Sequence, residues 1–139
     1  KEMKYTKVVI NGKQQSKVVA ESDEVEGIIR EALASYGVTG YRLNRMNGFN
    51  FYVIVEKAWA VDATLSIDNS SEISGFEIVH PVDEAIDMIQ YNPEVSLNWS
   101  GTSRNLTVAA SAAQLYQKLI MAGNDIKDQL SEIDYVKIH

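Results

Sequence analysis

"YRLNRMNGFNFYVIVEKAWAV" (residues 41–61) joins two β-type runs across Asn47-Gly48, and its register decides which residues face a core. A two-residue loop sets Tyr41 and Leu43 opposite Ile54 and Tyr52. Phe51 and Val53 then fall on the other face, and both faces become apolar. A three-residue loop with a bulged glycine at Gly48 shifts the pairing by one residue. Tyr41, Leu43, Phe49, Phe51, Val53 and Val55 then share one face, and Arg42, Asn44, Met46, Asn50, Tyr52 and Glu56 share the other. Only this register separates core from surface, so it is the one expected. Arg45 falls on its core face, close to the loop.

The alternation continues beyond Lys57. Trp59, Val61, Ala63, Leu65 and Ile67 point one way and Asp62, Thr64 and Ser66 the other. Upstream, "KYTKVVINGKQQSKVVA" reads as a hairpin turning at Asn11-Gly12, because Asn-Gly readily takes the positive φ of tight β-turns. "SDEVEGIIREALASYG" follows, with Val25, Ile28, Ile29, Ala32, Leu33 and Tyr36 at helical spacing. Ser22 or Asp23 is the expected cap, Glu26 completes a box from Asp23, and Gly37 suits the first position past the helix.

Downstream, "DNSSEISG" reads as a loop and "FEIV" as a short strand. Pro81 opens an expected helix over "PVDEAIDMIQY", with Val82, Ala85, Ile86 and Ile89 as its stripe and Asn92-Pro93 as its stop. "EVSLNW" reads as one more strand. The C-terminal third suggests a helical hairpin: an alanine-rich helix from Asn105, a corner at Gly123-Asn124, and a second helix lined by Ile126, Leu130 and Ile133. Strands and helices mix without strict alternation. The expected fold is therefore α+β, a single domain over residues 1–139. Its sheet is mainly antiparallel and built from hairpins, with a helix after the first hairpin and a helical hairpin at the C-terminal end.

Composition narrows the chemistry. Of the 139 residues 45% are hydrophobic and 23% charged, the balance of a globular chain rather than a disordered one. There is no cysteine, which removes disulfides, thiolate nucleophiles and sulfur-ligated metals. With only two histidines, His80 and His139, no imidazole-rich metal site is expected, and no cofactor is implied. His80, before Pro81, reads as a residue at a helix start. No signal peptide or membrane-length apolar run is visible, so a cytoplasmic location is the expectation.

The net charge of −6 is unevenly spread. Residues 1–20 hold five lysines, whereas eight acids and no Lys or Arg lie between Lys57 and Arg104. Such a stretch repels phosphate backbones and attracts basic partners, which disfavours direct nucleic-acid binding. Asp83, Asp87 and Glu94 are the candidate partner-binding acids. Asp83 and Asp87 also lie one helical turn apart, but they sit opposite the apolar stripe, as solvated charges do, so no metal role is assigned.

A second group of candidates concerns anions. "NWSGTSRN" (residues 98–105) leads into a helix N-terminus, whose free N–H groups favour negative charge. Ser100, Gly101, Thr102, Ser103 and Arg104 are candidate phosphate ligands there. The stretch lacks a P-loop's lysine and glycine spacing. Arg42, Arg45, Tyr52 and Trp99 are candidates for stacking on and pairing with a nucleotide-like ligand.

No nucleophile motif is present and no catalytic residue is assigned. The leading expectation is therefore a small acidic, non-enzymatic protein that acts by occupying a macromolecular partner with a basic surface. Inhibitors carried by phages and other mobile elements belong to this class by analogy. The alternative is a binder of a nucleotide or other phosphorylated small molecule, and a small hydrolase comes third. Ala109, Ala112 and Ala113 add the expectation of a homodimer through the C-terminal helices.

Overall fold

The computed structural model describes residues 4–10, 12–46, 50–57, 61–69, 76–80, 88–101 and 105–137. Along the chain run β1 (Lys4–Ile10), β2 (Lys13–Glu21), α1 (Ser22–Ser35), β3 (Tyr41–Met46), β4 (Asn50–Lys57) and β5 (Val61–Asn69). They are followed by β6 (Phe76–His80), β7 (Met88–Gln90), β8 (Pro93–Ser100), α2 (Leu106–Leu130) and β9 (Tyr135–Lys137). The strands form two sheets, one of four strands in the order β3-β4-β5-β8 and one of five in the order β6-β1-β2-β9-β7. The fold is α+β, as the mixed pattern implies.

The four-stranded sheet is an antiparallel meander whose register follows from its side chains. Tyr41 pairs with Val55, Leu43 with Val53 and Arg45 with Phe51, the three-residue-loop register. Phe51, Val53, Val55, Ala63, Leu65 and Ile67 are buried together on one face. Val18 and Val19 of β2 are buried as well. The bulge expected at Gly48 and the side chains of Phe49 and Trp59 lie outside the described residues. In the first hairpin Ile10 pairs with Lys13, which leaves a two-residue turn, and Gly12 takes φ 77°.

α1 buries Val25, Ile28, Ile29, Ala32 and Leu33, as its spacing predicts. Its start corrects the expected cap. β2 runs directly into the helix, so Glu21 occupies the cap position and makes no side-chain cap bond. Ser22 is swallowed into the first turn, fully buried, and Asp23 turns to Arg45 instead. At the other end Gly37 has φ 72°, its N–H donates to the Ala34 carbonyl, and the Val38 N–H donates to that of Leu33. This is a Schellman ending, closed by buried Val38 over buried Leu33.

Two expectations about the C-terminal half are corrected. The helical hairpin is one helix, because α2 continues through Gly123-Asn124. Gly123 is there for approach rather than for turning: a Cβ on it would lie 3.1 Å from Leu65 Cδ1 and 3.5 Å from Val95 Cγ1. The helix thus settles on β5 and β8 through Leu119, Ala122, Gly123 and Ile126, all buried. Ile133 is buried in the turn after the helix, where its N–H donates to Leu130.

The end of the helix expected over residues 81–91 is also different. Residues 88–90 form β7, paired antiparallel with β9, and residues 81–87 lie outside the described ones. A short apolar segment follows its pairing partner rather than its local spacing. His80 closes β6 opposite Lys7, and the helix start expected after it lies outside the described residues. β9 runs parallel to β2 and between it and β7, and Asp134 secures the junction. The Asp134 N–H donates to the Val18 carbonyl, and the Val18 N–H donates to the Asp134 carboxylate, both at 2.9 Å. Among the described residues no helix is long and apolar enough to cross a membrane.

Candidate functional site

β-strand alternation sorts the candidate residues before any distance is measured. Arg42 and Tyr52 are on the outer face of the four-stranded sheet, away from the core. Arg45 is on the inner face, as is Trp99, whose partner Ala63 lies opposite Val55. The supposed reading surface is therefore split between two sides of one sheet.

Each of these side chains also has local work. Arg42 donates to Glu56 at 3.1 Å. Arg45 pairs with Asp23 at 3.2 Å and lies over the Phe51 ring at 5.9 Å, so it pins the start of α1 to the hairpin. Trp99 stacks edge-on against Tyr116 with centroids 5.2 Å apart. The Ser100 hydroxyl donates to the Asp62 carbonyl at 3.4 Å.

Gly101 has φ 111°, a conformation that suits glycine. Asn105 caps α2, and its side-chain oxygen accepts from the N–H groups of Thr107 and Val108. Two of the donors an anion would need are thus already used. Thr102, Ser103 and Arg104 lie outside the described residues.

What the sheet does assemble is an acidic face. Four cross-strand rows run over its outer side. Glu56, Asp62 and Ser100 make one end row, and Arg42, Ile54, Thr64 and Asn98 the next. Asn44, Tyr52, Ser66 and Ser96 make the third, and the opposite end carries the pairs Met46–Asn50 and Asp68–Glu94.

Half-buried Tyr52 and Ile54 and buried Ser66 occupy the middle, while Glu56, Asp62 and Glu94 are exposed at the ends. Two pairs of carboxylate residues therefore stand directly opposite one another, Glu56 with Asp62 and Asp68 with Glu94. Asp62 and Asp68, six residues apart on one strand, are separated by roughly 20 Å. Opposed like charges destabilise a sheet, and on this face Arg42 is the one cation among the described residues, already engaged by Glu56. Among the described residues Asp62, Asp68 and Glu94 form no ion pair.

Of the three acids singled out in the sequence, Glu94 lies on this face, and Asp83 and Asp87 lie outside the described residues. Asp62 and Asp68 belong to the same acid-only stretch without being candidates of their own, and Glu56 lies just before it. The period-two pattern of "VDATLSID" carries the signal, since it puts Asp62 and Asp68 on one side.

The charged lining sits elsewhere. A cleft of about 160 Å³ between the α1–β3 turn and α2 is bordered by Thr39, Lys57, Ser111, Gln114 and Lys118. The Lys118 and Lys57 ammonium groups rest beside Gly37 and Gly40, near the carbonyl end of α1. Among the described residues no three His, Asp or Glu side chains gather as a metal site requires. Comparison with protein-family models, curated proteins and solved structures found no match, so the functional argument rests on this chain's own geometry.

Proposed function

We propose that this chain is a small acidic binding protein without catalytic chemistry, which acts by occupying a macromolecular partner that presents a basic surface. The observation that carries the reading is the outer sheet face, where the pairs Glu56/Asp62 and Asp68/Glu94 stand at the two ends of a middle of mostly uncharged polar side chains around half-buried Tyr52 and Ile54. A centre with few charges inside a charged rim matches the depletion of charge at the core of protein interfaces. Opposed carboxylates cost stability in the free protein, and lysines and arginines of a partner relieve that cost. Steering by such charge acts mainly on the association rate. Inhibitors carried by mobile elements are the class to which the reading extends by analogy.

The test is capture and identification of the partner, followed by affinity measurements on the purified pair. Asp62→Asn, Asp68→Asn and Glu94→Gln combined should weaken binding by about tenfold, equivalent to about 1.4 kcal/mol. Raising ionic strength from about 0.1 to about 1 M should weaken it too, because the screening length falls from about 10 to about 3 Å. A complex indifferent to both changes would rule the acidic face out.

The cleft at Lys57 and Lys118 favours a second reading, a phosphorylated small-molecule binder, at a place different from the loop before Arg104. Thermal stabilisation by a phosphorylated ligand, lost in Lys57→Ala with Lys118→Ala, is its expected sign. Stabilisation that survives the double substitution would remove the cleft from consideration.

A further inference from the structure

Among the described strands four lie at sheet edges, and they are not equally protected. β7 has three residues and β6 five. β3 carries Arg42 and Arg45. β8 is different. It has eight residues, pairs with β5 in an unbroken register from Pro93 to Ser100, and among the described residues hydrogen-bonds to that one neighbouring strand. From Val95 to Ser100 it contains no charge and no proline. A long, flat, uncharged edge is a template for another strand.

The side chains beside it are also unfinished. Val95, Leu97 and Trp99 are only half-buried, and on the neighbouring flank of α2 Tyr116 and Ile120 remain 43% and 37% exposed. A shallow cleft of about 50 Å³ runs between the strand and this flank.

We infer that β8 pairs antiparallel with β8 of a second copy of this chain, about a two-fold axis at Leu97, making one eight-stranded sheet. The choice of a second copy rests on self-complementarity. In an antiparallel ladder opposed residues share a face, and a two-fold axis perpendicular to the sheet continues each face into its own kind. The strand must therefore be centred on a residue rather than between two.

Centring at Ser96 brings Pro93, which has no N–H, into the ladder opposite Trp99. Centring at Leu97 leaves Pro93 outside. It sets Val95 against Trp99, a favourable β-branched and aromatic pair, Ser96 against Asn98, and Glu94 against Ser100. No carboxylate meets another, although the chain as a whole carries −6. Tyr116 and Ile120 of both copies come to lie beside the seam, and the two outer faces join into one surface. The pairing stands or falls independently of the partner proposed for that surface.

The test is the solution mass at about 100 µM, a concentration that populates micromolar complexes. The expected mass is twice the 15.5 kDa of the chain. Ser96→Lys with Asn98→Lys places lysine opposite lysine at two points of the seam and should return a monomer. Both positions are exposed in the single chain, so its far-ultraviolet circular dichroism should not change. Ser96→Lys with Asn98→Glu places opposite charges together and should restore the dimer. Centring at Ser96 instead opposes lysine to lysine and glutamate to Glu94, so that variant also reports the register. A monomeric native chain, a dimer untouched by the double lysine variant, or failure of the Lys/Glu variant to restore it would overturn the inference.

Discussion

The Tyr91 hydroxyl is buried at the junction where β7 gives way to β8, and among the described residues it has no hydrogen-bond partner. Burial pushes its phenol well above the ordinary 10.0, because the charged form would lose its water. The unfolded chain therefore releases this proton near pH 10 while the folded chain retains it. Stability conferred by the neutral phenol is present below that pH and declines as pH rises through and beyond it.

Tyr91→Phe should be neutral or stabilising by up to about 1 kcal/mol at neutral pH, since it removes an unsatisfied buried hydroxyl. Denaturant melts of the two proteins should diverge above pH 10, with the native chain losing more. Parallel alkaline limbs would show that the phenol ionises in the folded chain as readily as in the unfolded one. Ser22 is the other buried hydroxyl of this kind. Its sequence context reads as a helix cap, and only the direct passage from β2 into α1 explains why it is none.

Gly123 shows the same gap between local signal and tertiary use at the scale of an element. Next to Asn124 it reads as a corner, but the helix continues through it, close against Leu65 and Val95. Gly123→Ala gains about 1 kcal/mol of helix propensity and spends much of it displacing the Leu65 methyl, so it should be nearly neutral. Gly123→Val adds bulk to a filled contact and should cost about 1–3 kcal/mol, read as a lower denaturation midpoint at unchanged slope. Equal stability of all three proteins would mean that α2 does not press on the sheet there.

The hairpin of β3 and β4 was legible because a one-residue slip would have divided its apolar side chains between the two faces. The α1 stripe and the Gly37 ending were legible for the same reason, since both signals are contained in a few consecutive residues. "MIQ" in β7 was not, because its conformation is set by a strand almost fifty residues later. The acidic face was visible only in part: its period-two signal was local, but the alignment of Asp68 with Glu94 depends on β5 meeting β8.

For the whole molecule, charge and edges divide the work of recognition. The acidic outer face and the uncharged β8 seam lie on the same sheet yet make different demands. Contact across the face weakens with salt, whereas a backbone ladder between copies is far less sensitive to it. A series of ionic strengths should therefore dissociate a basic partner from Asp62, Asp68 and Glu94 while leaving the doubled mass unchanged. Arg42 and Tyr52 do not share a face with Arg45 and Trp99, for a reason that is also global. Strand pairing put Arg42 and Trp99 on opposite faces, which no inspection of either segment alone could show.

The interior position of β9 has a bearing on how the protein comes into being. The strand that bridges β2 and β7 is made after every other described element, and Val18 waits 116 residues for Asp134. The four-stranded meander needs only contacts within residues 41–100 and can organise during synthesis. The five-stranded sheet has to wait for its keystone. A chain interrupted before Tyr135 would leave two unjoined strand edges exposed, the kind of surface that aggregates or is cleared by cellular quality control.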